Sequence, residues 1–459
     1  MSSLQEQLAS RFEQDLSDLI EFLRIPSVSA LREHRADMHR AAEWLAAAMR
    51  RVGLENVQVI ETPGHPIVYA DWIRDANKPT ALIYGHYDVQ PVDPLDLWES
   101  PPFEPEVRQG RIYARGASDD KGQVMVHLAA LGALLACYGE LPVNVRVLIE
   151  GEEEVGSPSL EPFLQERRDL VSADFVVISD TSMFAPGLPT LCTGLRGIAA
   201  VELHVTTAAT DLHSGLYGGA APNALQVLAQ LIAASKDDQG RVAVPGFYDR
   251  VIEPTPWERQ AYAALPFDEK ELLERLELGG WDGEPDYTPF ERMTVRPTFE
   301  VNGMWGGFLG EGSKTVIPRE AHAKITCRLV AGQDPEEVVR LLTAHFQRLC
   351  PPYARVEVTP GHGARPWKAD LEHPALQAAI WALQRTFGKD VALAPTGGSI
   401  PVVESFDRLL RVPCVLMGFA DPDSNAHAPN ERFSVETFRI AREAVSLFWQ
   451  EAARGGLKS

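Results

Sequence analysis

Several short stretches of this chain carry the acids and histidines that could hold metal ions. His86-Tyr-Asp88 closes the apolar run from Ala81, Glu150-Gly-Glu152-Glu153-Glu154 closes the run from Val145, and Asp180 closes the run from Phe175. Asp119-Asp120 stands just before an apolar stretch beginning near Gly122, and His427 sits in the polar segment Asp423–Glu431. Carboxylates crowded into one cleft repel each other and take up protons unless cations neutralise them. Mixed His/Asp/Glu ligands suit zinc or manganese better than calcium. Taken singly, these stretches read as a surface pair, a solvated acidic run and a helix cap. Their shared placement at the ends of apolar strands favours a metal site instead.

The elements that must position them follow from periodicity. Leu4, Leu8, Phe12, Leu16, Leu19 and Leu23 mark one amphipathic helix, and Met38, Ala41, Ala42, Leu45 and Met49 a second. Short strands are expected at 57–60, 67–70, 81–84, 143–149 and 175–178, with a helix over 122–137. Strands alternating with helices, several of them uniformly apolar, indicate an α/β domain whose mixed, largely parallel sheet is covered on both faces. In such sheets ligands bind beyond the carboxyl ends of the strands. His86, Asp88, Glu153, Glu154 and Asp180 would then share one rim, with Asp119 at a helix N-terminus whose dipole favours negative charge.

Near Gly194-Leu-Arg-Gly197 the pattern changes. Val201, Leu203 and Val205 alternate as in a sheet with one wet face. A helix is expected from Pro222 to about Ser235, then a polar excursion over about 237–292. Strands near 294–301 and 321–330 follow, then a helix capped by Asp334 with Pro335 at its first turn, and a strand near 355–359. This β-α-β-β-α-β order is ferredoxin-like. Helical patterns at 373–387 and 435–452, around a strand at 412–417, return to the first domain. The expected division is 1–195 and 369–459 for the α/β domain, with 196–368 inserted.

Other residues have less obvious roles. His213 lies among glycines in Asp211–Gly219, away from any apolar face. Arg328 interrupts the alternating strand 325–329. Gly397-Gly398-Ser399-Ile400-Pro401 could offer backbone N–H groups to an anion. Gly307–Thr315 resembles a phosphate-binding loop, but Val316-Ile317-Pro318 cannot start the helix such a loop needs.

Composition narrows the function classes. The net charge of −21 repels phosphate backbones, which argues against a nucleic-acid partner. The five cysteines are scattered and form no C-x-x-C, as expected of free thiols in a reducing compartment. The first residues, Met1 to Gln7, show no basic region followed by an apolar run, so no signal peptide is expected, and Val124–Cys137 reads as too short to span a bilayer. A cytoplasmic protein without a membrane partner is the expectation. No G-x-S-x-G or H-E-x-x-H occurs, which argues against serine hydrolases and mononuclear zincins.

Across nearly its whole length the chain resembles the di-metal family of carboxypeptidases, aminoacylases and dipeptidases, in its carnosine-dipeptidase-like branch. The motifs are Gly85–Pro91, Arg115–Gly122, Glu150–Ser157, Ser179-Asp180, Asp211–Gly215, Thr315–Pro318, Cys327–Val330 and His427–Glu431, in the family's order. The resemblance implies a zinc-peptidase-like catalytic domain carrying an inserted lid and dimerisation domain. It implies two divalent metal ions per subunit, zinc first and manganese second. His86, Asp119 and Asp180 would hold one ion, and Asp119, Glu154 and His427 the other, with a cis Asp119–Asp120 peptide. Asp120 would serve the helix start or that turn. Asp88 would orient His86, and Glu153 would be the base acting on a metal-bridging water. His213 would act in trans across a homodimer, and Arg328, Thr315, Gly398, Ser399 and Ile400 would hold the terminal carboxylate of a small peptide. The expected reaction is dipeptide hydrolysis. The rivals are deacylation of N-acyl amino acids and a non-catalytic dimerising binding protein. Ala394-Pro-Thr396 stands where the branch often has Arg-Glu before the glycine pair, which leaves side-chain preference open.

Overall fold

The computed structural model describes residues 3–455 and divides the chain into two compact units. One comprises the chain up to Thr193, Ala369–Ala394 and the chain from Ser405; the other comprises Gly194–Lys368 and Pro395–Glu404. The inserted unit therefore takes in residues 395–404 as well as the expected stretch.

The first unit is built on a mixed sheet. Its strands run in the order Glu55–Ile60, Ile67–Trp72, Asn144–Glu150, Thr80–His86, Phe175–Ile178, Cys414–Gly418 and Thr190–Leu195. The four central strands, from Asn144–Glu150 to Cys414–Gly418, are mutually parallel. Their residues are almost all buried, which explains their apolar sequence, broken in the interior only by the half-buried Arg146. Helices Leu4–Leu23, Arg35–Val52, Lys121–Tyr138, Pro374–Phe387 and Val435–Ala452 contribute their apolar faces to the core. The helix Lys121–Tyr138 is buried on every face over its first fourteen residues. At 18 residues it is long and apolar enough to cross a membrane, contrary to the expectation from Val124–Cys137, yet 78% of it is buried inside the protein. A helix apolar all round is what a core position requires.

The second unit has the four-stranded order Glu300–Gly306, Glu320–Leu329, Gly197–Thr206 and Arg355–Ala364, every neighbouring pair antiparallel. With helices Ala224–Ala233 and Pro335–Leu349 this is the ferredoxin-like arrangement. Two boundaries differ from expectation. Asn223, not the residue before Pro222, caps the first helix by accepting the N–H groups of Leu225 and Gln226. The strand expected near 294–301 begins at Glu300. Thr288 and Glu291 form a capping box around Pro289, which makes Pro289–Thr294 a helix and delays the strand past Pro297.

Candidate metal centre

The rim positions follow from parallel pairing. Because the central strands run the same way, their carboxyl ends deliver His86, the loop after Glu150, Asp180 and the loop after Gly418 to one edge. Asp119 arrives from the turn before the helix Lys121–Tyr138, and the Asp119–Asp120 peptide is cis. His427 sits at φ 62, flanked by Asn425 and Asn430 at 56 and 60. A histidine held left-handed costs on the order of 1–3 kcal/mol, a strain that concentrates at functional sites.

Two ligand groups meet at Asp119. His86, Asp119 and Asp180 form one, and Asp119, Glu154 and His427 the other, with the candidate atoms of each within 4.8 Å of one another. His86 Nε2 lies 3.0 Å from Asp119 Oδ1 and 3.8 Å from Asp180 Oδ2. His427 Nε2 lies 2.9 Å from Asp119 Oδ2 and 3.3 Å from Glu154 Oε2. The two carboxylate oxygens of Asp119 thus face different groups, the geometry of a bridge.

Whether these donors fit cations can be judged from the bonds they fail to make. His86 Nδ1 is 3.0 Å from the Asp88 carbonyl oxygen, which can only accept, so Nδ1 carries the proton. His86 Nε2 then faces the acids, buried and without an aligned hydrogen bond, and Glu154 Oε1 is likewise buried and unpartnered. A lone pair among carboxylates is the arrangement a divalent cation needs. The donors fit two such ions.

Without a cation the electrostatics are unbalanced. Burial pushes the Glu153 carboxyl up to about 9; His86 opposes the shift, and Asp180, Glu154 and Asp119 add to it. Burial, reinforced by Asp119, raises Asp180 to about 6. Burial resists ionisation of Asp119, but His427 and His86 hold its carboxyl well below the usual carboxylate range. Asp119 and Glu154 raise His427 to about 10.

Supporting contacts differ in detail from the expected roles. Asp88 meets His86 Nδ1 chiefly through its main-chain carbonyl, with Oδ1 at 3.4 Å. Its carboxylate accepts the N–H groups of Glu153 and Glu154 at 3.2 and 3.1 Å, tying the acidic loop to the histidine strand. Asp120 stands at the cap position without capping through its side chain; Oδ2 accepts the His86 N–H at 3.3 Å.

The second unit places the remaining candidates. His213 is exposed, and its Nδ1 accepts the Gly215 N–H at 3.0 Å. That leaves Nε2–H as the ring's donor. Thr315 is adjacent, its carbonyl accepting the Ser214 N–H at 3.1 Å. Cys327 and Leu329 face the core, so Arg328 emerges on the opposite face of the strand, where Nη1 donates to Ser399 Oγ at 2.9 Å. Gly398 and Ile400 flank that hydroxyl in sequence, and the Gly398 carbonyl accepts the Arg196 N–H at 3.1 Å.

A model of the peptidase family M20/M25/M40 matches residues 82–451. The chain belongs to this family. Among its curated relatives, "Cys-Gly metallodipeptidase dug1" of Schizosaccharomyces pombe is 30% identical over 95% of both chains. Human "Beta-Ala-His dipeptidase" is 28% identical over 93% of this chain and 87% of its own. Among solved structures, the M20 family metallo-carboxypeptidase Sso-CP2 from Sulfolobus solfataricus superposes with a TM-score of 0.82 at 34% identity, covering 96% of this chain and 99% of that one.

Two residues of this M20 site were missed as contributors. Glu431 is fully buried; it pairs with Arg115 at 2.8 Å and accepts the N–H groups of Gly116, Ser118 and Asp119. It therefore shapes the loop that presents Asp119. Gln90 donates to Glu154 Oε2 at 2.7 Å and orients that carboxylate. Both lie inside quoted motifs, but their partners are 64 to 316 residues away, beyond any local pattern. Glu431→Ala strands Arg115 as a buried, unmatched cation. We expect a loss of about 3–5 kcal/mol in denaturant unfolding of the first unit, and a shift under about 1 kcal/mol would contradict this role.

Proposed function

We propose that the chain is a cytoplasmic, homodimeric dipeptidase that uses two divalent metal ions per subunit, zinc first and manganese second. The observation that carries this reading is the pair of ligand groups sharing Asp119, together with the metallodipeptidase relatives. The metals, held by His86, Asp119, Asp180, Glu154 and His427, would supply Lewis-acid polarisation of the scissile carbonyl and a water of lowered pKa. The protein's own groups do the rest. Glu153 takes the proton of the attacking water at a carboxylate oxygen and returns it to the leaving amine nitrogen. Asp88 holds both His86 and the backbone of Glu153 and Glu154 in register. His213 donates Nε2–H to the developing oxyanion, acting from the partner subunit, where the inserted domain serves as lid and dimerisation surface. Arg328, with Ser399, Thr315, Gly398 and Ile400, holds the free C-terminal carboxylate.

The five cysteines, none of them in a disulfide, accord with a reducing compartment. A side-by-side assay tests the substrate class. Unblocked dipeptides should turn over at least about tenfold faster in kcat/KM than N-acetyl amino acids sharing the same C-terminal residue, about 1.4 kcal/mol of transition-state preference. The reverse order would assign the chain to deacylation.

A further inference from the structure

The cavity beside Arg328 holds more positive charge than one terminal carboxylate uses. It encloses about 570 Å³ within the second unit, a volume typical of small-ligand sites. Two of its lining cations are matched: Lys236 lies 3.7 Å from Asp282, and Arg296 Nη2 lies 2.8 Å from Glu284. Arg196, Arg292 and Arg328 line the same cavity, and each has only neutral hydrogen-bond partners among the described residues. Arg196 Nε donates to the Gly397 carbonyl at 3.0 Å, and Arg292 Nη1 to the Asp282 carbonyl at 3.0 Å. Arg292 Nε is buried with no partner. Arg328 has the Ser399 hydroxyl. Glu300, exposed on the lining, is the one carboxylate left to offset three guanidinium groups.

Partly desolvated guanidinium groups without a counter-ion are costly, and an anion entering the cavity relieves that cost. Burial, with the charge of Arg328 adding and Glu300 opposing, lowers Arg196 to about 10, so the two arginines press on each other. If Arg328 takes the α-carboxylate, Arg196 and Arg292 have only the exposed Glu300 to offset them.

Resting on the dipeptidase function proposed above, we infer that this cavity receives the side chain of the substrate's C-terminal residue and selects an acidic one. Arg328 holds the α-carboxylate, while Arg196 and Arg292 hold the side-chain carboxylate of aspartate or glutamate. A neutral side chain leaves both cations with Glu300 as their one counter-charge on the lining, and a basic one adds to the repulsion.

The metal-reconstituted enzyme is assayed on isosteric pairs, Ala-Glu against Ala-Gln and Ala-Asp against Ala-Asn, with Ala-Lys as the opposite charge. The acidic member of each pair should show a kcat/KM higher by about 10- to 100-fold, the range set by charge-assisted hydrogen bonds. Ala-Lys should be the poorest substrate. Arg292→Gln and Arg196→Gln, each made separately, should bring the Glu-to-Gln ratio towards one. Equal wild-type turnover of Ala-Glu and Ala-Gln overturns this inference and leaves the dipeptidase reading intact. A ratio that survives in both variants also overturns it. Failure to cleave any dipeptide overturns the dipeptidase reading itself.

Discussion

Glu153→Gln keeps its metal content and loses turnover on dipeptides by about 10²- to 10⁴-fold, the usual contribution of a positioned general base. Glutamine has the shape of glutamate and can still accept hydrogen bonds, but it takes up no proton. Glu153 lies outside both ligand groups, so the substitution leaves His86, Asp119, Asp180, Glu154 and His427 in place. The local backbone is held independently, because Asp88 accepts the N–H groups of Glu153 and Glu154 whatever the side chain at 153. Burial, with the surrounding acids adding, raises the proton affinity of Glu153. Divalent cations placed among those acids would oppose that rise, so the proposed metals and the proposed base would be coupled electrostatically. Metal per chain by elemental analysis and kcat on one dipeptide decide the matter. A kcat within about threefold of wild type would remove Glu153 from the base role.

The second large effect concerns assembly. His213→Ala and Arg328→Ala should each fall by about 10²- to 10³-fold in turnover, the scale of a lost oxyanion donor. Mixed and allowed to exchange, the two inactive proteins should regain activity. A heterodimer carrying one lesion on each chain has one site with an intact Arg328 and an intact partner histidine, and one site with neither. Statistical mixing makes about half of the dimers mixed, so about a quarter of wild-type activity should return. The exposed His213, with Nδ1 accepting from Gly215, leaves Nε2–H as the donor available to a substrate oxyanion. Heterodimers verified by mass that remain inactive would show that His213 and Arg328 serve the same subunit's site.

Much of this was legible in the sequence, for definite reasons. The four parallel strands are buried on both faces, so each reads as an apolar run, broken once at Arg146, and a polar residue at its end is conspicuous. His86, Asp180 and the acids after Glu150 stood out in that way. Asp119 was framed by the apolar helix it precedes, whereas His427 lies in a loop without such a frame, and only motif order attached it to the rest. The parts that could not be read depend on contacts distant in sequence or on competing local signals. Glu431 shapes the Asp119 loop through backbone amides more than 300 residues away. Asp120 looks like a helix cap, yet its carboxylate turns to the His86 N–H instead. At 288–300 two signals overlapped, β-branched residues favouring a strand and a Thr-Pro-x-Glu box favouring a helix. The box won because it satisfies the helix's first N–H groups locally. The charge surplus around Arg328 was invisible because Arg196, Arg292 and Arg328 come together only in the folded second unit.

The central claim is that Asp119 unites two metal positions into one catalytic centre. The most direct measurement is a metal titration of chelator-stripped protein, following dipeptide hydrolysis against equivalents of zinc or manganese added. Stripped protein should be inactive, and activity should rise to a plateau at about two equivalents per chain, one for each ligand group around Asp119. Full activity in the stripped protein would contradict the account.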